Sequence, residues 1–195
     1  MPVTTTRTLP AAILREVQKA VIGKDLVLTK VLLAFLAGGH VLMEDMPGVG
    51  KTTLAMAFSK ALGLNCRRVQ FTPDVLPSDL TGFSVYEKNT GTFVFQPGAL
   101  FCHLLLADEI NRTSSKTQAA LLEAMEEGNV TVEGKTYTLP RPHLVIATQN
   151  PLGCVGTQSL PESQLDRFLM RLHMGYPEIQ DEVAILKGHA ARDPL

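Results

Sequence analysis

The spacing of apolar residues along the chain alternates between a helical period and short continuous runs. Strands are predicted by nearly continuous apolar runs at residues 40–43, 104–107 and 143–147. A further strand is predicted at residues 66–71, between Gly63 and Pro73, and residues 168–174 could form the last one. Helices are predicted by apolar positions three and four apart at residues 10–20, 24–37 and 54–62, and before Gly128. Thr113 or Ser114 would cap the last of these helices. Strands alternating with helices imply an α/β fold with a parallel sheet and right-handed crossovers.

Two segments depart from this alternation and show period two instead. In residues 80–95, apolar and polar residues alternate on both sides of Asn89-Thr90-Gly91, and residues 130–139 repeat the pattern. Each segment is predicted to form a β-hairpin. No linker divides the chain. We therefore expect a single domain over residues 1–195, with helices in residues 1–37 and the two hairpins as insertions.

The composition excludes several classes of protein. The 195 residues are 45% hydrophobic and 19% charged, as in a globular domain. The net charge is −1, so neither nucleic acid nor an anionic membrane is expected as a partner. The N-terminus lacks the pattern of a signal peptide, and the apolar run at residues 26–36 is too short to cross a bilayer. We expect a cytoplasmic protein.

The strongest chemical motif lies between the first strand and the helix that follows it, in Asp45-Met46-Pro47-Gly48-Val49-Gly50-Lys51-Thr52. Its two glycines allow the backbone to curl, so that N–H groups face phosphate oxygens at the start of a helix. Lys51 supplies a mobile charge for the β- and γ-phosphates, and the Thr52 hydroxyl can ligate Mg²⁺. Asp45 stands where the usual pattern opens with glycine. The motif predicts a nucleoside triphosphate site.

An acidic pair, Asp108-Glu109, directly follows the apolar run at residues 104–107. At the carboxyl end of a buried parallel strand, such a pair lies beside the phosphate loop. Asp108 would hold Mg²⁺ through water, and Glu109 could act as the general base for an attacking water. Asn150 closely follows the strand at residues 143–147 and could hydrogen-bond the γ-phosphate and that water. A simple Asn-Pro turn is the alternative for Asn150.

Arg167 is the candidate for neutralising negative charge on a transferring phosphoryl group, because a guanidinium matches phosphate geometry. A surface ion pair with Asp166 is the alternative interpretation. Arg112 and Arg171 compete for the same role.

The order of these motifs resembles the AAA+ ATPases, and within them the MoxR family. The matching segments cover nearly the whole chain, at residues 44–52, 70–82, 105–112, 117–125, 147–151 and 164–168. The resemblance implies a P-loop NTPase fold, with a sheet sandwiched by helices and the two hairpins as the helix-2 and pre-sensor-1 inserts. The resemblance also implies that Glu109 is the general base and that Asn150 is the sensor 1 residue. Arg167 would be the arginine finger, which acts in the site of a neighbouring subunit.

The resemblance also implies the ligands and the assembly. ATP and Mg²⁺ would be the cofactors, with Thr52 and Asp108 holding the metal. The implied nucleotide-binding residues are Val21, Ile22, Gly23, Pro47, Gly48, Val49, Gly50, Lys51, Thr52 and Thr53. The resemblance further implies assembly into rings, such as hexamers, that remodel protein clients. Such proteins often act together with a von Willebrand factor A domain partner. A helical lid is expected beyond the core, from about residue 191 onward, so we expect this chain to be the core without its lid.

Four functions compete at this point. The leading hypothesis is an Mg²⁺-dependent ATPase that remodels a protein partner and helps to mature or activate it. The second is a nucleotide-binding interaction module with little hydrolysis, suggested by the missing lid. The third is a nucleic-acid motor, which the net charge and the few cations at the hairpin tips (Lys88 and Lys135) disfavour. A small-molecule kinase would share the phosphate loop but would not need Asn150 and Arg167.

Overall fold

The computed structural model describes residues 8–46, 48–149 and 160–190. The helices are Thr8–Gln18 (α1), Asp25–Leu36 (α2), Lys51–Leu62 (α3), Pro77–Thr81 (α4), Ser115–Glu127 (α5), Glu162–Leu165 (α6) and Ile179–Ala190 (α7). The strands are Val41–Glu44 (β1), Cys66–Gln70 (β2), Phe83–Glu87 (β3), Thr92–Gln96 (β4), Leu104–Asp108 (β5), Asn129–Val132 (β6), Lys135–Thr138 (β7), Leu144–Gln149 (β8) and Met170–Leu172 (β9). None of the helices in this part of the chain is long and apolar enough to cross a membrane.

The central sheet is parallel and has the strand order β2-β5-β8-β1-β9. The predicted α/β fold, with a parallel sheet between helices, is confirmed. Strand β1 pairs with β8, which pairs with β5, and all three are parallel. The chain segments that follow them therefore emerge together at the carboxyl ends of the strands. This order brings the phosphate loop, which follows β1, close to the acidic pair, which lies at the carboxyl end of β5.

The sheet separates two apolar layers. Leu104 and Leu106 of β5 pack in the layer that includes α1, α2 and α3. Leu105 and Ala107 of the same strand pack in the layer that includes α5. Alternate side chains of a strand point to opposite faces, so a strand covered on both faces needs apolar residues at every position. This requirement explains the continuous apolar run by which the strand was predicted.

Helix α5 begins at the second of its two candidate caps. The hydroxyl of Ser114 accepts a hydrogen bond from the backbone N–H of Thr117 at 3.3 Å, so Ser114, rather than Thr113, is the N-cap. The helix ends at Gly128, as predicted, with a left-handed φ of 66°.

Both predicted hairpins are present as separate two-stranded sheets, β3–β4 and β6–β7. The first begins at Phe83, because Leu80, where the sequence pattern placed its start, lies in the short helix α4 and is fully buried. The rings of Phe95 and Tyr137 stack with a centroid distance of 3.8 Å and an interplanar angle of 13°. This contact joins the two hairpins to each other.

Candidate active site

The phosphate loop connects β1 to α3 and has the backbone that its glycines predict. Gly48 and Gly50 have φ values of 89° and 94°, a region that side chains other than glycine strain to adopt. No described atom lies within 4 Å of a Cβ built on Gly48. The backbone therefore borders open space at this point, as an anion-binding loop requires. Pro47, also predicted to bind the nucleotide, lies outside the described residues.

Lys51 is buried and turned back onto the loop. Its Nζ donates hydrogen bonds to the backbone oxygens of Asp45 at 2.8 Å and Met46 at 3.1 Å. Burial lowers the pKa of this ammonium group. The negative charges of Asp108, Asp45 and Glu109 oppose that fall in pKa. A desolvated cation of this kind is stabilised by an incoming anion, which is the role a phosphate-binding lysine needs.

Motifs that lie far apart in the sequence meet at a cavity of about 320 Å³ at the carboxyl ends of the strands, here called the phosphate cavity. Its walls combine parts of the loop, the start of α3, the end of β2 and the end of β5. The lining residues are Gly48, Gly50, Lys51, Thr52, Arg68, Gln70, Asp108 and Glu109. Of these, Arg68 and Gln70 had no role assigned from the sequence.

The acidic pair is held to the neighbouring strand by one hydroxyl. Thr148 of β8 is fully buried, and its Oγ1 donates to Oδ1 of Asp108 at 2.6 Å. The same oxygen accepts a hydrogen bond from the backbone N–H of Glu109 at 2.9 Å. Glu109 has a left-handed φ of 58°, which is uncommon for a residue with a side chain and is typical of functional sites. Its Oε2 accepts a hydrogen bond from Arg112 at 2.8 Å.

A second cavity, of about 260 Å³, shares Gly48 and Gly50 with the first and is lined mainly by apolar residues. It is lined by Ala20, Val21, Ile22, Lys24, Gly48, Val49, Gly50, Thr53, Met174, Pro177 and Ile185. Val21, Ile22, Val49 and Thr53 were predicted to bind the nucleotide. Gly23 does not line the cavity. A Cβ at Gly23 would lie 1.9 Å from Oδ2 of Asp181, so the glycine leaves room for α7 instead.

Asp45, the departure from the usual loop pattern, has its own partners. The side chain is buried, and its carboxylate accepts hydrogen bonds from the backbone N–H groups of Met174 at 2.7 Å and Gly175 at 2.9 Å. These two residues follow β9, and Met174 lines the apolar cavity. The carboxylate therefore ties the start of the phosphate loop to the wall of the neighbouring cavity, a contact that glycine could not make.

The predicted arginine finger lies away from both cavities. Arg167 pairs with Glu126 of α5 at 2.9 Å, and not with its neighbour Asp166. Arg171 pairs with Glu44 at 2.7 Å. A role for Arg167 in a neighbouring subunit stays a prediction. Asn150, the predicted sensor, lies outside the described residues.

The donor groups in the phosphate cavity fit ATP with Mg²⁺. In the described part of the chain, no cluster of three or more His, Cys, Asp or Glu side chains could hold a metal ion alone. Mg²⁺ does not require such a cluster, since it binds one or two protein oxygens together with phosphate and water. The Thr52 hydroxyl and the Asp108 carboxylate supply hard oxygen donors beside the buried cation of Lys51.

Comparison with known proteins defines the class first. Residues 40–170 match the family model described as "ATPase family associated with various cellular activities (AAA)". The crystal structure of a proposed ATPase from Cytophaga hutchinsonii ATCC 33406 superposes with a TM-score of 0.86 at 40% sequence identity. The match covers 96% of this chain and 57% of that one.

Curated relatives narrow the class to a family. "Chaperone MoxR1" of Mycobacterium tuberculosis is 42% identical over 179 residues, which are 92% of this chain and 47% of the relative. "Uncharacterized protein YeaC" of Bacillus subtilis is 51% identical over 180 residues, which are 92% of this chain and 56% of the relative. The chain belongs to the MoxR family of AAA+ ATPases. It spans about half the length of these two curated relatives.

Proposed function

We propose that this chain binds ATP together with Mg²⁺ and hydrolyses the terminal phosphoanhydride bond. One observation carries the proposal: the phosphate loop and the pair Asp108-Glu109 line the same cavity. The apolar cavity opens on the other side of Gly48 and Gly50, which line both. One cavity is lined mainly by charged and polar residues and the other mainly by apolar ones, as the phosphate and base ends of a nucleotide would require.

Each lining residue has a chemical role in this proposal. Lys51 and the loop N–H groups bind the phosphates, since a buried cation and backbone donors cost little reorganisation when the anion arrives. Thr52 and Asp108 hold Mg²⁺, which supplies neutralising charge at the phosphate oxygens. Glu109 accepts the proton of the attacking water. Thr148 keeps both acidic residues in position through its two hydrogen bonds.

A second subunit would be needed for Arg167 to act as the arginine finger predicted from the sequence. Arg167 is engaged with Glu126 and does not line the phosphate cavity of its own chain. We therefore propose a closed ring, such as a hexamer, in which Arg167 of one subunit reaches the site of the next. Arg112 and Arg171 are the competing candidates. Residues 1–195 would supply the nucleotide-binding core of each subunit.

Hydrolysis would be used to remodel protein clients, and this part of the proposal rests on family likeness. The mycobacterial relative is named a chaperone. The first hairpin exposes Phe83, Tyr86 and Phe93, apolar groups suited to contact with a polypeptide. A von Willebrand factor A domain partner and a cytoplasmic location complete the proposal.

Steady-state ATP turnover per subunit, measured over rising protein concentration, tests hydrolysis and assembly together. Lys51→Ala is the inactive reference, and Lys60→Ala is the matched control, because Lys60 is an exposed lysine of the same helix. We expect turnover per subunit to rise with concentration in the wild type and in Lys60→Ala. A flat rate equal to that of Lys51→Ala would contradict the proposal.

A nucleotide-binding module with little hydrolysis is the second candidate. The observation in its favour is that Arg167 and Arg171 form ion pairs within the chain and line neither cavity. A single subunit would then bind ATP without an arginine from a neighbour to complete the site. Tight ATP binding with negligible turnover, in a protein that sediments as a monomer, would favour this candidate over the first.

A further inference from the structure

Arg68 places a second cation in the phosphate cavity. It lies on β2, the edge strand of the sheet beside β5. Its Nη2 donates to Oδ2 of Asp108 at 2.8 Å and to Oε1 of Gln70 at 3.3 Å. The preceding residue, Arg67, points to the other face of the strand, where its Nη1 donates to the backbone oxygen of Gly98 at 2.9 Å. Arg68 is thus held specifically by a residue of the site.

The position of Arg68 corresponds to the terminal phosphate. Gly48 and Gly50 line both cavities, so the loop separates the apolar cavity from the one that contains Asp108. With the base in the apolar cavity, the phosphate farthest from it lies on the Asp108 side. Arg68 lines only this side. A guanidinium in that place matches a terminal phosphate in charge and in donor geometry.

The ion pair between Arg68 and Asp108 is weak enough for another anion to replace Asp108 as the partner of the guanidinium. The side chain of Arg68 is 52% exposed, and that of Asp108 is 13% exposed. An ion pair with one well-solvated partner contributes little free energy, so a competing anion can take the guanidinium at small cost. Asp108 is also the residue proposed to hold Mg²⁺. Release by Arg68 would leave both lone pairs of Oδ2 to the waters of the hydrated ion.

We propose that Arg68 distinguishes ATP from ADP within its own subunit. The guanidinium transfers from Asp108 to the terminal phosphate when a triphosphate and its Mg²⁺ enter. ADP has no phosphate at that position, so it leaves Arg68 on Asp108. This inference rests on the proposed nucleotide-binding function and adds a binding residue on β2.

Calorimetric titration at fixed Mg²⁺ tests the inference with ADP and with β,γ-imido-ATP, which is not turned over. The variants are Arg68→Gln, Arg68→Lys and the matched control Arg67→Gln. We expect Arg68→Gln to raise the Kd for the triphosphate about tenfold and the Kd for ADP less than about twofold. Arg68→Lys is expected to give an intermediate ratio, because an ammonium keeps the charge and loses the fork of donors. Arg67→Gln is expected to behave as the wild type.

An unchanged ratio of the two Kd values in both Arg68 variants would overturn the inference. An equal loss of affinity for both nucleotides leaves this ratio unchanged, and it is what a merely structural role for Arg68 would produce. The thermal unfolding midpoint of each variant without nucleotide identifies a folding defect, and Arg68→Lys then provides the ratio. If the wild type bound neither nucleotide, the proposed function itself would fail, which is a different result from an unchanged ratio.

Discussion

Acidification is expected to destabilise this fold through one buried histidine. His40 precedes β1, and its side chain is 7% exposed. Its Nε2 lies 3.1 Å from the backbone oxygen of Met125, and its Nδ1 accepts a hydrogen bond from the N–H of Val145 at 3.1 Å. The neutral ring satisfies both contacts, whereas a protonated ring could not accept the second. The ring of His143, 6.3 Å away, is the neighbouring titratable group.

The magnitude follows from the difference between the folded and unfolded pKa values. Burial lowers the pKa of His40 from 6.5 to about 4, with the hydrogen bond to Met125 opposing the shift and the charge of His143 adding to it. Between pH 6.5 and about pH 4, His40 is protonated in the unfolded chain and neutral in the folded chain. The free energy of unfolding is therefore highest above pH 6.5 and falls as the pH drops through this range. The loss amounts to about 2 kcal/mol at about pH 5 and about 3 kcal/mol at about pH 4.

Urea unfolding between about pH 7.5 and about pH 5 measures this loss, with the wild type compared against His40→Gln. The amide side chain can serve both backbone partners and does not titrate, so the variant is expected to have a flatter dependence of unfolding free energy on pH. His143 remains in both proteins, so its contribution largely cancels in the difference. The control is His173→Gln, whose imidazole is 70% exposed and far less desolvated. Parallel curves for the wild type and His40→Gln would refute the reasoning.

Three further predictions concern the phosphate cavity. Glu109→Gln is expected to lower ATP turnover at least about a hundredfold while nucleotide binding persists, because it removes the proposed base and keeps the shape; steady-state assay and calorimetry check this, and unchanged turnover would be against the role. Thr148→Val is expected to lower kcat about tenfold with a smaller change in KM, since both acidic residues lose their hydrogen bonds to its hydroxyl; a change confined to KM would argue otherwise. Asp45→Asn is expected to reduce the unfolding free energy by about 2 kcal/mol, because an amide replaces one acceptor with a donor facing a backbone N–H; denaturant unfolding decides, and a loss below about 0.5 kcal/mol would contradict the assigned contact.

Short elements were the main part of the fold that the sequence pattern missed. Helix α4 has five residues and α6 has four, too few for a helical period to be visible. Leu80 therefore looked like the start of a hairpin, although it is the buried residue of α4. Helix α7 was not predicted either, although Ile179, Val183 and Leu186 have helical spacing in the sequence; all three side chains are exposed in the structure.

The partners of charged side chains were the main part of the site that the pattern missed. The sequence offers adjacent Asp166 as an ion-pair partner for Arg167, but Arg167 pairs with Glu126 on another helix. Arg68 and Thr148 had no role assigned from the sequence, yet both bond to Asp108. Such contacts join residues that lie 40 positions apart in the chain. The spacing of residues along the chain does not indicate such contacts, because they form only when distant strands pair.

The strands and the phosphate loop could be predicted from the sequence because residues close together in the chain determine them. A continuous apolar run predicts a doubly covered strand, and the glycines and Lys51 specify a phosphate loop through backbone freedom and charge within a few residues. The meaning of Asp45 became visible only in three dimensions, since its partners Met174 and Gly175 are reached through the pairing of β1 with β9. Strand order and register set which distant groups come within hydrogen-bonding distance, and these depend on the packing of the whole sheet between its two apolar layers.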